Sequence, residues 1–216
     1  LLNIFSFKTN NLQKVIISAE NLKSGIFLFF FISLIFQNTF SQNINIEILR
    51  KINLERNPSL DAGFRKLTNS ITYTDIGTPV ILFTVAAIKH DSVAKRKAVY
   101  IGSSLLLSAA ISGIIKKAVK EPRPFVTYPE IQKLTKAGSD SFPSGHTTDA
   151  FSLATSLTLA YPKWYVAVPA YTYASAIGYS RMHLGVHYPG DVLVGALIGS
   201  GTAFLTHKIN YWLAKK

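Results

Sequence analysis

Three short stretches of this chain gather side chains able to hold an anion and move protons. In the first, Lys116 is followed after six residues by Arg123-Pro124; the second is Pro143-Ser144-Gly145-His146. The third runs from Ser180-Arg181 over five residues to His187 and over three more to Asp191. Arginine presents a planar fork that matches phosphate oxygens, whereas lysine acts as a mobile point charge. In the second stretch Pro143 stops one segment and Gly145 lets backbone approach a ligand closely. A helix beginning just after them would offer its first amides, with the Ser144 hydroxyl, to an anion. His146 then stands where an imidazolium could give a proton to a departing oxygen. In the third, a carboxylate bonded to one ring nitrogen of His187 would fix its tautomer and leave the other nitrogen free to attack.

Taken singly, each stretch has an ordinary reading. A lysine and an arginine at a helix end are common membrane anchors, and a serine before a helix is a common cap. His183, His187 and Asp191 also invite a metal reading, but Gly185 and Pro189 spoil the i, i+4 face that helical metal pairs use, so no metal site is expected.

The elements that must position these residues are apolar runs. Ile71 to Ile88, Ala98 to Ile115 and Val192 to Leu205 each read as one helix, while Thr147 to Tyr179 is split in two by Tyr161-Pro162-Lys163. Upstream, Lys23 precedes the apolar run Gly25 to Phe36, whose length suits a signal peptide or an N-terminal anchor over residues 1–41. Between them, residues 42–70 interleave Glu47, Arg50, Lys51, Glu55 and Arg56 with Ile46, Leu49, Ile52 and Leu54. Ser59 is expected to cap a second helix ending near Leu67. These amphipathic helices either lie on a membrane surface or pack against the protein's own bundle. Residues 71–216 form the membrane-embedded domain, giving five spans, or six with the first segment. If residue 42 lies outside, Lys95-Arg96-Lys97, Lys163 and Lys215-Lys216 fall inside, as the positive-inside rule requires. All three polar stretches then share the outer side. The segment 116–146 is basic although it faces out, which suggests that its charge serves to bind an anion.

Composition narrows the classes further. The 216 residues suit one domain, and 48% hydrophobic against 16% charged residues falls below the charge content of soluble domains. The net charge of +12 in so hydrophobic a chain suits headgroups and cytoplasmic loops rather than nucleic acid. With no cysteine, disulfides, thiolate metal sites and cysteine nucleophiles are excluded together.

With every position filled in order, the three stretches resemble the signature of the type 2 phosphatidic acid phosphatase family. The resemblance covers residues 116–191 by motif and about 71–207 by span arrangement. It implies an all-α, integral membrane helical bundle of five to six transmembrane helices that hydrolyses a lipid phosphate without metal or cofactor. By this resemblance His187 attacks phosphorus, Asp191 orients it and His146 protonates the leaving group. Lys116, Arg123, Ser144, Gly145 and Arg181 would hold the phosphate oxygens. The expected partners are membrane lipids and a lipid phosphate substrate: undecaprenyl pyrophosphate, phosphatidylglycerol phosphate, phosphatidic acid or a lipid A phosphate. The implied location is a bacterial-type inner membrane, with the site facing the periplasm or cell exterior. A lipid phosphotransferase would use the same intermediate. Vanadium-dependent haloperoxidases resemble the same motifs but are soluble and larger, and a non-catalytic membrane scaffold would have no need of the intact histidines and aspartate.

Overall fold

Small residues decide how closely the helices of this protein approach one another, and that approach decides which polar residues meet. A computed structural model describes residues 38–213, Ser139 excepted. In chain order the helices are α1 (Asn38–Leu54), α2 (Asp61–Ile88), α3 (Ser92–Val119), the short α4 (Pro124–Thr127), α5 (Gly145–Ala160), α6 (Trp164–His183) and α7 (Pro189–Leu213). A 3-10 turn, Pro58–Leu60, precedes α2, and no strand occurs among the described residues. Three stretches there are long and apolar enough to cross a membrane: Pro58–Ile88, Ser92–Thr127 and Pro189–Trp212.

Helix α5 is the axle of the bundle, packing against α2, α3, α6 and α7. At 16 residues it is about 24 Å long at 1.5 Å per residue, short of the roughly 30 Å of hydrocarbon. Its sequence explains why it sits inside: Thr147, Thr148, Ser152, Thr155 and Ser156 are all buried, their hydroxyls bonding to backbone carbonyls or to the hydroxyls of Ser144 and Tyr171, Ser152 excepted among the described residues. Close helix packing of this kind uses small residues, and α7 supplies them as Gly195 and Gly199. A Cβ at Gly199 would fall 2.1 Å from the Thr148 carbonyl oxygen, and one at Gly195 would fall 2.8 Å from that of Ser144. This Gly-x-x-x-Gly face brings the start of α7 against the start of α5, where the Ser144 amide donates to the Asp191 carbonyl at 3.1 Å.

The break expected at Tyr161-Pro162-Lys163 is present between α5 and α6. The expected helix end near Leu67 is corrected. Ser59 caps no helix: Asn57 caps the 3-10 turn, its Oδ1 accepting from the Ser59 amide at 3.0 Å, and α2, whose N-cap Leu60 makes no side-chain bond, runs unbroken past Leu67 to Ile88. Polar residues past Leu67 bond inward: Thr68 accepts from Arg181 at 2.8 Å, and the Ser70 and Tyr173 hydroxyls are 2.7 Å apart.

Helix α1 resolves the other open alternative. Ile46 and Leu49 are buried with Ile131 and Tyr188, so the helix packs on the protein itself. Asn53, fully buried, donates to the carbonyls of Gln132 at 3.1 Å and His183 at 2.9 Å, and accepts from the Gln132 amide at 2.8 Å. The apolar run 25–36 of the expected signal segment lies outside the described residues; α1 begins at Asn38, within the expected 1–41 segment.

Candidate active site

The third polar stretch begins as the last turn of α6 and ends in the first turn of α7. Between them Gly185 adopts a φ of +71°, and a Cβ there would lie 2.2 Å from the Gln132 carbonyl oxygen, so only glycine closes this turn. The turn places His187 four residues before Asp191, with Nδ1 3.0 Å from Asp191 Oδ2. The carboxylate accepts, so Nδ1 carries the hydrogen and the Nε2 lone pair is exposed to the site. The same Oδ2 also accepts from the Tyr188 amide at 3.0 Å and, in a short bond, from the Ser141 hydroxyl. With three donors the carboxylate is held rigidly, and it lies at the α7 N-terminus, where negative charge is favoured.

Burial governs the acid–base character of His187. His187 is 2% exposed, and burial pushes its imidazole down to about 4 from the ordinary 6.5, an effect that Asp191 partly offsets and Arg123 and Arg181 reinforce. The ring is therefore neutral at pH 7.

Arg123 reaches in from the end of the α3 stretch. Its Nε donates to the Gly138 carbonyl at 2.9 Å, while Nη1 donates to the Val186 carbonyl at 2.7 Å and to His187 Nε2 at 3.2 Å. Nη2 has no hydrogen-bond partner among the described residues. Arg181, also buried, donates from Nη1 to Thr68 at 2.8 Å, and its Nε is buried with no partner. A buried guanidinium N–H without an acceptor is costly, and an anion in the site would supply one.

Lys116 departs from the simple picture. Its ammonium donates to the carbonyls of Asp140, Ser141 and Pro143 at 2.9, 3.0 and 2.9 Å, which uses all three of its protons. It thus ties down the segment that carries Ser141 and leads into α5. Ser144 is fully buried at the N-cap position of α5, its hydroxyl 2.8 Å from that of Thr147 rather than on a backbone amide. A Cβ at Gly145 would meet nothing within 4 Å, so packing against protein does not demand glycine there. One residue on, His146 has His187, Arg181, Arg123 and Lys116 all close enough to act on its charge.

All eight residues expected from the sequence thus converge at one end of the bundle. His183 does not join them: its Nε2 lies 2.8 Å from Asp61. No group of three or more His, Asp or Glu side chains able to hold a metal forms among the described residues. Sequence reading missed Ser141, Thr68 and Asn53. Ser141 lay two residues before Pro143 and could have been found as a hydroxyl beside a motif; Thr68 and Asn53 carry no local signal, because their partners are more than 70 residues away.

Comparison with known proteins agrees with this geometry. A family model described as "PAP2 superfamily" matches residues 97–215. An undecaprenyl-diphosphatase of Sulfolobus acidocaldarius is 30% identical over 175 residues, covering 78% of this chain and 80% of that protein. A lipid A 1-phosphatase of Rhizobium etli is 30% identical over 112 residues, covering 50% of this chain and 47% of that protein. The crystal structure of Aquifex aeolicus LpxE superposes with a TM-score of 0.69 at 31% identity, covering 76% of this chain and 95% of that one. A transmembrane PAP2-type phosphatidylglycerolphosphate phosphatase from Bacillus subtilis gives a TM-score of 0.68 at 25% identity, covering 86% and 94%. Sharing both the sequence pattern and the membrane-embedded helical bundle of these proteins, the chain belongs to the PAP2 superfamily.

Proposed function

We propose that this protein is a membrane phosphatase that hydrolyses a phosphate monoester or diphosphate of a lipid through a phosphohistidine on His187. The observation that carries this reading is the fixed tautomer: Nδ1 is held by Asp191, and Nε2 faces a guanidinium in a site where Arg181 keeps an unpartnered donor. A phosphate entering there would accept from Arg181 Nε, from Arg123 Nη2 and from the first amides of α5. The Nε2 lone pair then attacks phosphorus. As the P–O bond to the lipid or to the second phosphate breaks, its electron pair stays on the leaving oxygen, which takes a proton from His146. The negative charge of the bound phosphate favours the protonated form of His146 needed for this step. Water next attacks the phosphohistidine and passes a proton to His146. The P–N electron pair returns to Nε2, so the site is regenerated.

Lys116 in this reading holds the 140–143 segment in place and adds positive charge, rather than serving as a direct ligand. The substrate class follows from the relatives, which act on undecaprenyl diphosphate, lipid A and phosphatidylglycerol phosphate by name. The cluster Lys95-Arg96-Lys97, at the far end of α3 from Lys116, supports placing the catalytic end on the periplasmic or outer side.

The test is phosphate release by detergent-purified protein, with EDTA present, across a panel of those lipids beside His187→Ala. Release by the parent and none by the folded mutant supports the reading, and the ranking of lipids names the substrate. No release from any lipid by folded protein would overturn it.

A further inference from the structure

At the end of the bundle opposite the catalytic residues lies a cavity of about 220 Å³ between the start of α3 and the ends of α5 and α7. Arg96, Lys97, His207 and Asn210 form its polar wall, over an apolar floor that includes Leu159 and Ala160. The floor is rigid: the Tyr100 hydroxyl donates to the Ala203 carbonyl at 3.0 Å, and the His207 ring packs edge-on against Tyr100 with centroids 5.3 Å apart. Lys97 lies over the Tyr161 ring, 4.5 Å from its centroid. No carboxylate among the described residues pairs with Arg96 or Lys97. Asp91, close by in sequence, is already engaged in capping α3, accepting from the amides of Val93 and Ala94.

Two independent observations set the depth of this cavity. Arg96 and Lys116 lie on one helix, and their twenty-residue separation corresponds to about 30 Å of rise, the hydrocarbon thickness of a bilayer. If Lys116 is at the headgroup level of one leaflet, Arg96 is at that of the other. Around the cavity end, Trp164, Tyr165, Tyr211 and Trp212 are exposed at 77%, 60%, 54% and 65%. An outward belt of tryptophan and tyrosine marks a membrane–water interface.

We propose that this cavity binds the phosphate of an anionic phospholipid in the leaflet opposite the catalytic end, as a second lipid site that takes no part in the chemistry. The two adjacent cations suit a phosphate and the apolar floor suits the glycerol and first methylenes, as in basic pockets between helices at a membrane face.

The experiment uses the full chain in nanodiscs of phosphatidylcholine with and without phosphatidylglycerol, following thermal unfolding and turnover of a soluble phosphate monoester. In the parent, phosphatidylglycerol is expected to raise the midpoint by about 3 °C or more. Arg96→Gln with Lys97→Gln should remove most of that shift while leaving turnover unchanged. Should that pair fold poorly, Val93→Trp, at an exposed position on the cavity rim, should remove the shift with the charges intact. Lys163→Gln, a cation of the same membrane face outside the cavity lining, should keep it. No shift in the parent, a shift surviving in both cavity variants, or an equal loss in Lys163→Gln would each overturn the proposal. So would a full shift from glycerophosphate or inorganic phosphate in pure phosphatidylcholine, which would identify a free-anion site.

Discussion

The described residues hold two buried histidine–aspartate pairs, and the proposed function gives a catalytic role to only one of them. His187 with Asp191 and His183 with Asp61 have similar separations, 3.0 and 2.8 Å, and both imidazoles are 2% exposed. The difference lies in what surrounds the rest of each ring. His187 sits in a turn with its second nitrogen directed at Arg123. His183 ends a helix with its ring packed on Phe64, centroids 4.5 Å apart, and its carbonyl held by Asn53. Asp61 is shared with Arg56 at 3.1 Å, so that pair joins α2 and α6 to the segment that follows α1. In the proposed function the distinction lies in the guanidinium facing His187 Nε2, since pairing with a carboxylate is common to both.

The largest effect that would sharpen this contrast is on the nucleophile. His187→Asn is expected to lower kcat by about 10⁴-fold or more, whereas His183→Asn should keep kcat within about tenfold and cost about 1–3 kcal/mol of stability. Turnover and thermal unfolding measured on both variants would break the comparison if His183→Asn proved as inactive as His187→Asn. Next in size, Asp191→Asn should reduce kcat by about 10³- to 10⁴-fold by losing control of the tautomer, while Asp61→Asn should act on the unfolding midpoint. The third contrast is in pH dependence. Neutral His187 is the reactive form, its ionisation is lowered to about 4, and activity is lost as pH falls through that value. After correction for ionisation of the substrate, kcat/KM should show no loss on the acid side as pH falls from 7 past 6.5, since protonation of His146 can only help over that range. An acid limb centred near 6.5 that vanished with a substitution at His187 would contradict the burial argument. Smallest of all, Ser141→Ala removes one of three donors to Asp191 and should cost about 3- to 10-fold in kcat, with little change in KM for a soluble phosphate monoester.

How far the sequence foretold this arrangement depended on whether a contact was local. The bundle was readable because the runs 98–115 and 192–205 are too apolar to be anything but buried or lipid-facing, and the turn at Pro162 breaks any helix. The charged and histidine residues of the site stood out because such side chains are rare in so apolar a chain, and Ser144 and Gly145 stood out beside His146. The helix expected to end near Leu67 continues instead, and Thr68 and Ser70 just beyond that point bond inward from it to partners more than 100 residues away. The Gly195 and Gly199 spacing was present and went unread, although it sets the α5–α7 contact. The partners of Lys116 could not have been read at all, because backbone carbonyls leave no mark on residue identity.

Helix α1 carries a consequence for the order in which the molecule is made. Asn45 accepts from the Gly190 amide at 3.1 Å across 145 residues, and Asn53 bonds to the His183 carbonyl across 130. Contacts of such separation form late, because the loop between them must be closed first. The earliest described helix therefore waits through the insertion of every later span before it can dock, and the turn bearing His187 acquires its final support only then. On the proposed function, a nascent chain has no fully supported catalytic turn until α1 meets the start of α7.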